Sequence, residues 1–270
     1  MTTITYTLGN GLRIPAVGLG TWLIPNEQAA GIVDSAIKAG YRHIDTAQAY
    51  ENEEGVGDGV RRSGIPRDRI FITSKVAAEI KDHKLAAASI DESLRRLGMD
   101  YIDLMLIHCP QPWAVFRSRE KRYFEENKQV WKALEEAYKA GKLKAIGVSN
   151  FLVEELEDLL PSCEIRPMVN QFELHIGETP QELLDYCKSK GILPEAYCPN
   201  AHGRLIDNPV VVEMAGKYGV SAARLCIRYT LQLGAVSLPK SLNPAHIASN
   251  IEQDFSISDA DMDILRNVRL

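Results

Sequence analysis

Cysteine is scarce in the sequence, and its pattern predicts neither disulfides nor a metal site. The 270 residues include five cysteines, with no Cys-x-x-Cys pair among them. An odd, scattered set of this kind is typical of reduced thiols in the cytoplasm. The six histidines are equally scattered and form no His-Glu-x-x-His motif. We therefore expect no metal site.

Long apolar runs and an excess of basic residues are also missing. No stretch approaches the length that crosses a bilayer, and residues 1–11 have neither the basic start nor the apolar run of a signal peptide. The 31 basic and 36 acidic side chains give a formal charge of −5, which does not favour binding to nucleic acid or anionic membranes. We therefore expect a cytoplasmic protein with neither nucleic acid nor membrane as a partner, and we expect it to be a monomer.

Short apolar runs alternate with longer amphipathic stretches from residue 17 almost to the end of the chain. The predicted strands are 17–21, 41–45, 70–75, 102–108, 145–149, 168–172, 193–197 and 235–239. The predicted helices between them include 26–40, 85–98, 129–141, 180–191 and 209–219. This alternation implies a parallel sheet with right-handed crossovers. Eight strands in a chain of this length favour one domain, residues 1–270, folded as a closed (β/α)8 TIM barrel.

The competing architecture, an open doubly wound sheet, lacks its usual glycine signature. Gly18 and Gly20 lie in the first predicted strand, but Leu23 stands where the third glycine of G-x-G-x-x-G belongs. A second glycine cluster, residues 55–59, lies inside a helix-like stretch and does not follow a strand directly. Neither run therefore predicts a phosphate-binding loop.

Two segments outside the alternation carry their own predictions. Residues 4–15 alternate in polarity around Asn10-Gly11, which predicts a β-hairpin that closes the bottom of the barrel. Residues 117–128 form the one dense charge run, and we expect them to be a solvated loop.

Polar side chains stand at the carboxyl end of every predicted strand, where barrels of this kind carry their catalytic groups. These residues are Thr21, Trp22, Asp45, Lys75, His108, Ser149, Asn150, Gln171, Tyr197, Lys240 and Ser241. Taken singly, Asp45 could cap a helix, Lys75 could point into water, and His108 could be a core histidine. Because they end successive strands, and because Tyr50 follows Asp45 closely, one shared acid-base site explains them better.

The residue types indicate which chemistry that site would perform. A phenol has a reference pKa of about 10 and is a poor proton donor near neutral pH without help. Lys75 could lower that pKa by stabilising the phenolate, and Asp45 could hold the lysine in place. His108 could donate a hydrogen bond to a carbonyl oxygen. Together they predict a site that protonates an oxygen as negative charge develops on it.

Four long segments carry a resemblance that covers essentially the whole chain. They are HIDTAQAYENEEGVG (43–57), LGMDYIDLMLIHCP (97–110), GKLKAIGVSNF (141–151) and LPKSLNPAHIASN (238–250). The sequence resembles the aldo-keto reductases, in particular the short bacterial members related to 2,5-diketo-D-gluconate reductase. The resemblance implies a (β/α)8 barrel that reduces aldehydes, α-dicarbonyls or keto sugars with NAD(P)H. Its implied catalytic tetrad is Asp45, Tyr50, Lys75 and His108, with Tyr50 as the proton donor.

The same resemblance implies a cofactor site along the strand ends. The implied cofactor residues are Thr21, Trp22, Ser149, Asn150, Gln171, Tyr197, Lys240, Ser241, His246 and Asn250. Of these, residues 149, 150 and 171 would hold the nicotinamide carboxamide, the ring at 197 would stack on the nicotinamide, and residues 240, 241 and 250 would bind the adenosine end. His246 stands where the family commonly has an arginine that faces the 2′-phosphate. We therefore expect NADPH to be preferred and NADH to be accepted as well.

The sequence departs from the family pattern around the substrate. Ala77 and Cys109 stand where tryptophan is common, which leaves Trp22 and Trp113 as candidate walls of the substrate pocket. The chain also stops at Leu270, where longer relatives carry a tail that helps to close the pocket. Together these departures predict an open pocket with broad specificity. After the stacking tyrosine, the usual serine is replaced by a cysteine, number 198, which we expect beside the cofactor.

Two other classes of function stay open at this point. One is a catalytically weak relative that binds NADPH as a sensor or docking module, although such a module has no need of a proton donor. The other is an unrelated barrel enzyme, for example a phosphosugar isomerase, which would not require the GVSNF and LPKS segments. The sequence alone does not specify the physiological substrate.

Overall fold

Eight parallel strands form the barrel in the computed structural model, which describes residues 4–270. They are β3 (Leu19–Gly20), β4 (His43–Asp45), β5 (Phe71–Val76), β6 (Ile102–Ile107), β7 (Leu143–Ser149), β8 (Val169–Glu173), β9 (Leu193–Tyr197) and β10 (Val236–Leu238). Each strand pairs with its neighbour in chain order. Closure comes from Val17, which bridges to Ser237, and from the Gly18 N–H, which donates to the Ser237 carbonyl at 2.9 Å. The predicted (β/α)8 TIM barrel is confirmed.

Helices surround the barrel and connect its strands. They are α1 (Asn26–Ala39), α2 (Glu53–Arg62), α3 (His83–Leu97), α4 (Phe124–Lys139), α5 (Val153–Leu159), α6 (Gln181–Ser189), α7 (Pro209–Lys217), α8 (Ala222–Gln232), α9 (Pro244–Asn250) and α10 (Asp259–Arg266). Most of the predicted helices begin and end within two residues of these bounds. Across residues 4–270, every helix is too short or too polar to span a membrane.

The charge run at residues 117–128 is only partly the solvated loop that its composition predicts. The loop ends at Tyr123, and α4 begins at Phe124, five residues before the predicted start. Glu125 and Glu126 occupy the first turn of α4, where acidic side chains stabilise the positive end of a helix. The prediction was wrong for residues 124–128. A dense charge run usually indicates a loop, but acidic residues at the start of a helix stabilise it.

The N-terminal hairpin consists of β1 (Thr5–Thr7) and β2 (Arg13–Pro15), which pair antiparallel. Its Leu8 and Ile14 are buried and share a core cluster with Phe71 and Val236, the first residues of β5 and β10. Because those residues lie at the amino ends of the strands, the hairpin covers the bottom of the barrel. The opposite, carboxyl ends of the strands therefore remain free to carry a site.

The glycine cluster at residues 55–59 serves helix packing. A Cβ on Gly55 would lie 2.3 Å from the carbonyl oxygen of Asn26, and one on Gly57 would lie 2.0 Å from that of Leu97. Only glycine therefore permits α2 to approach α1 and the end of α3 so closely. This packing fixes the start of α2, and with it the short segment that connects α2 to β4.

Candidate active site

Four ionisable side chains meet at the carboxyl ends of β4, β5 and β6. Asp45 is the last residue of β4, Lys75 is the next-to-last residue of β5, and His108 directly follows β6. Tyr50 ends a short 3-10 turn (Gln48–Tyr50) between β4 and α2. The structure thus brings together the four side chains that the sequence predicts as the acid-base site.

Lys75 is the hub of this group. Its ammonium donates to Asp45 Oδ1 at 2.7 Å, to the Thr46 carbonyl oxygen at 2.9 Å and to the Tyr50 hydroxyl at 3.3 Å. The side chain is fully buried. An ammonium has three protons to donate, so these contacts satisfy it completely and fix the position of Nζ.

The protonation states follow from burial and from the neighbouring charges. Burial by itself would lower the pKa of Lys75, but Asp45 and Tyr50 outweigh it and raise that pKa. Burial raises the pKa of Tyr50 by more than Lys75 lowers it. Tyr50 is therefore protonated near neutral pH, which a proton donor requires. Burial thus outweighs the lowering by Lys75 that the residue types predict.

His108 is neutral in this environment. Burial, followed by the charges of Lys75 and Lys81, holds the pKa of His108 well below its usual range. The ring lies edge-on to Tyr50, with centroids 5.6 Å apart, and edge-on to Trp113, with centroids 5.2 Å apart. A neutral imidazole keeps one N–H, so His108 can donate a hydrogen bond to an oxygen beside Tyr50.

Hydrogen bonds on both sides hold the turn that carries Tyr50. The Gln48 amide donates to Ser93 Oγ at 2.9 Å and accepts from the Ala77 backbone N–H at 2.9 Å. On the other side, the Asn52 amide donates to the Thr21 and Ile24 carbonyl oxygens, each at 2.9 Å. Because the turn is tied to α3, to the end of β5 and to the loop after β3, the phenol is placed before any ligand arrives.

The next strands contribute a connected set of amides and hydroxyls. The Asn150 amide donates to the His108 carbonyl oxygen at 3.0 Å and to Ser149 Oγ at 3.1 Å. Its oxygen accepts from the Tyr197 hydroxyl at 2.8 Å. Three of the residues predicted to hold the cofactor are therefore joined to one another and to the backbone of His108.

Gln171 joins Asp45 to a second buried carboxyl group that the sequence argument missed. Its amide nitrogen donates to Asp45 Oδ2 at 2.9 Å and to Glu195 Oε2 at 2.7 Å. Glu195 is fully buried, and its Oε1 has no hydrogen-bond partner in the described chain. One signal could have found it: Glu195 lies two residues before Tyr197 on β9, and alternate residues of a strand share a face.

Burial largely determines the charge of Glu195. Desolvation first, and then the charge of Asp45, raise the pKa of Glu195 to about 8. The imidazole of His43 lies 3.8 Å from Glu195 Oε1, but burial lowers the pKa of His43 to about 3, so it is neutral. No cation in direct contact therefore favours the ionised form of Glu195, and the carboxyl group is largely protonated at pH 7.

The remaining predicted cofactor residues lie at two places. Thr21 is fully buried and its hydroxyl donates to the Asp45 carbonyl oxygen at 2.9 Å. Trp22 is half-exposed and lies edge-on to His202, with ring centroids 5.5 Å apart. The others follow β10 or lie in α9, and they are Lys240, Ser241, His246 and Asn250. The first three of these are partly or fully exposed, whereas Asn250 is buried with an unpartnered Oδ1.

The four predicted residues of the substrate pocket differ in exposure. Trp22, Trp113 and Ala77 are at least partly exposed. Cys109, in the loop that follows β6, is fully buried, and its place in the pocket stays a prediction. Burial raises the pKa of its thiol to about 11. Cys198 is partly exposed, and its Sγ lies 3.7 Å from His202 Nδ1.

Metal ligation does not account for these clusters. Within residues 4–270, no group of three or more histidine, cysteine, aspartate or glutamate side chains could hold a metal ion.

Comparison with known proteins assigns the chain to one family. The model of the Aldo/keto reductase family matches residues 16–269. The chain belongs to the aldo/keto reductase family. It is 46% identical over 261 residues to glyoxal reductase of Bacillus subtilis (strain 168), an alignment that covers 96% of this chain and 90% of that protein.

More distant relatives agree with this assignment. The chain is 38% identical to glycerol 2-dehydrogenase (NADP(+)) of Saccharomyces cerevisiae, with 97% of this chain and 89% of that protein covered. The crystal structure of an aldo/keto reductase from Brucella melitensis superimposes with a TM-score of 0.90 at 37% identity, covering 98% of this chain and 99% of that one. The resemblance inferred from the sequence motifs is confirmed.

Glu195 gives a prediction about stability. Because its pKa is raised to about 8 in the folded state, Glu195 binds more protons in the folded protein than in the unfolded chain between the usual carboxyl range and about pH 8. The contribution of Glu195 to the free energy of unfolding should therefore fall as pH rises through this window. Glu195→Gln removes the titrating group. As pH rises from 5 to 8.5, the free energy of unfolding of the variant should therefore increase relative to that of wild type by at least about 1.4 kcal/mol, the equivalent of one pKa unit.

Urea unfolding at both pH values measures this difference. The control is Glu213→Gln, which removes an exposed carboxyl group of α7 and should leave the pH dependence as in wild type. If wild type and Glu195→Gln show the same change in unfolding free energy between the two pH values, Glu195 is ionised in the folded protein and its assigned charge state is wrong.

Proposed function

We propose that the protein is an NADPH-dependent reductase that converts aldehydes, α-dicarbonyls or keto sugars to alcohols. The observation that carries the proposal is the position of the fully buried Lys75 ammonium, in contact with both Asp45 and the Tyr50 hydroxyl. The named activities of the relatives, glyoxal reductase and glycerol 2-dehydrogenase (NADP(+)), support interconversion of carbonyl and alcohol groups.

In the proposed reaction the protein places and protonates the carbonyl oxygen. The reduced nicotinamide, when bound, supplies a hydride to the carbonyl carbon. Tyr50 gives its hydroxyl proton to the oxygen as negative charge develops there, while the neutral His108 donates a hydrogen bond to the same oxygen. Lys75 stabilises the phenolate that Tyr50 becomes, and Asp45 keeps Lys75 in position.

The residues present fit a nicotinamide dinucleotide. Asn250 has a buried amide oxygen without a protein partner, which can accept a hydrogen bond from an amine of the adenosine end. Both amide protons of Gln171 bind carboxyl groups, and no protein donor in the described chain contacts its oxygen, which can accept from a carboxamide.

We assign the nicotinamide end to Ser149, Asn150, Gln171 and Tyr197, and the adenosine end to Lys240, Ser241, His246 and Asn250. Thr21 and Trp22 complete the proposed cofactor site beside the catalytic group.

The central prediction of this function concerns Tyr50. Tyr50→Phe removes the transferable proton and keeps the ring, so the fold and NADPH binding should persist while turnover is nearly abolished. A matched control is Tyr186→Phe on α6, whose hydroxyl lies outside the site. Loss of NADPH absorbance with methylglyoxal measures turnover. If Tyr50→Phe keeps more than about a tenth of the wild-type kcat, a barrier change under about 1.4 kcal/mol, Tyr50 is not the donor.

A second prediction concerns the choice between NADPH and NADH. His246 is exposed in α9, and an arginine at this position would bring a permanent charge and a planar fork of donors. Wild type should prefer NADPH and accept NADH. His246→Arg should raise the preference about 10- to 100-fold, the range expected for a charge-assisted contact.

The measurement is the ratio of kcat/KM for the two cofactors in wild type and in His246→Arg. A ratio that does not respond to the substitution would show that the 2′-phosphate does not reach His246.

A further inference from the structure

The loop between β6 and α4, residues 108–123, holds an arginine in an unusual backbone conformation. Arg117 has a φ of 64°, in the left-handed region that non-glycine residues rarely adopt. Gln111, whose side chain is buried, imposes it by accepting from the Arg117 N–H at 2.9 Å. The same amide donates to the carbonyl oxygens of Ser118 and Lys121, at 2.8 and 2.7 Å. Backbone strain that one buried side chain maintains through three hydrogen bonds is typical of ligand sites.

This conformation directs the Arg117 side chain to the edge of the active site. Its guanidinium donates to the Asn150 carbonyl oxygen at 3.3 Å and lies over the Phe116 ring, 4.6 Å from the centroid. Phe116 contacts Trp113 at 5.4 Å between centroids, and Trp113 contacts His108 at 5.2 Å. Arg117 thus stands at the end of a row of aromatic rings that begins at the catalytic imidazole.

The charge around Arg117 is not neutralised locally. Arg117 and Arg119 line a cavity of about 520 Å³ together with Arg122. Arg122 pairs with Glu154 and Glu155, the two acidic residues of that cavity. Among the residues that the structure describes, Arg117 and Arg119 form no ion pair within 4.0 Å. Apart from the bond from Arg117 to the Asn150 carbonyl oxygen, their guanidinium donors therefore remain available to an anionic ligand.

The position of the loop favours the substrate over the cofactor phosphates as that ligand. The residues assigned to the adenosine end follow β10, four strands away from β6 in the eight-stranded barrel and hence on its opposite side. The aromatic row joins Arg117 instead to the carbonyl-binding side of His108. Arginine also matches carboxylate and phosphate groups geometrically through its planar fork of donors.

We propose that Arg117 binds an anionic group, a carboxylate or a phosphate, on the carbonyl substrate, and that the adjoining cavity receives this end of the molecule. The inference rests on the reductase function proposed above and names the substrate class of the same site: small carbonyl compounds that carry a negative charge. Gln111 acts as a positioning residue, because it fixes the backbone from which the guanidinium projects.

The test uses two pairs of substrates that differ in charge. 4-Carboxybenzaldehyde is compared with methyl 4-formylbenzoate, and glyceraldehyde 3-phosphate with glyceraldehyde, so that the carboxylate and the phosphate are examined separately. For Arg117→Gln, the anionic-to-neutral ratio of kcat/KM should fall about 10- to 100-fold in at least one pair, mainly through KM for the aldehyde. Arg117→Lys should restore part of the ratio, because it keeps the charge but not the fork.

A control variant separates local binding from general electrostatics. Arg69→Gln removes an exposed charge just before β5, at the amino end of the barrel, and should leave both ratios at their wild-type values. Unchanged ratios in Arg117→Gln would overturn the proposal. The proposal would also be overturned if Arg117→Gln raised the KM for NADPH with all four substrates and left both ratios unchanged, because Arg117 would then bind the cofactor.

A binding measurement distinguishes failure of this inference from failure of the reductase function. Wild type that reduces none of the four aldehydes would contradict the proposed function itself. Binding of 4-carboxybenzaldehyde and of its neutral ester, followed by tryptophan fluorescence, still reports on Arg117 in that case. If Arg117→Gln binds 4-carboxybenzaldehyde more weakly than wild type does, while binding of the ester is unchanged, the anion site is supported. Equal affinity of wild type and Arg117→Gln for 4-carboxybenzaldehyde would reject the site.

Discussion

The buried ion pair between Lys75 and Asp45 is the interaction on which the site depends. Removing two charges from water costs more than most ion pairs return in stability, so such a pair is weak evidence of a stabilising role. Here the pair fixes an ammonium 3.3 Å from the Tyr50 hydroxyl. It can form because Asp45 and Lys75 end neighbouring parallel strands, whose carboxyl ends meet at one face of the barrel. The closed barrel thus supplies the geometry, and the ion pair supplies the electrostatic environment of the phenol.

A second layer of contacts beneath the ion pair limits the negative charge in the barrel. Gln171 on β8 reaches across the lumen to Asp45 on β4, four strands away, and also binds Glu195. If Glu195 were ionised, two carboxylates would share one amide near a single ammonium. Because burial keeps Glu195 largely protonated, Asp45 is the carboxylate that balances Lys75. The charge of the site is therefore set partly by a residue outside the predicted tetrad.

The fold and the main polar groups were predictable because both follow from periodic rules. Alternating strands and helices determine a parallel barrel, and the ends of its strands identify Asp45, Lys75 and His108 without any coordinates. Glu195 was missed because it lies inside a strand, where only the alternation of faces distinguishes it. Burial of Cys109 and the left-handed backbone of Arg117 depend on the loop after β6. The Gln111 side chain holds this loop through hydrogen bonds to backbone groups six to ten residues further along the chain, which no periodic pattern encodes.

A double-mutant cycle between Asp45 and Lys75, measured on kcat, tests most directly whether the two act as one unit on Tyr50, the proposed proton donor. The variants are Asp45→Asn, Lys75→Met and the double variant, with folding checked by circular dichroism. If they do, the losses should be strongly non-additive, with a coupling of at least about 1.4 kcal/mol and a double variant about as slow as Lys75→Met alone. Losses in activation free energy that add to within about 0.5 kcal/mol would show instead that the two residues act independently, so that the ion pair is not the basis of the site.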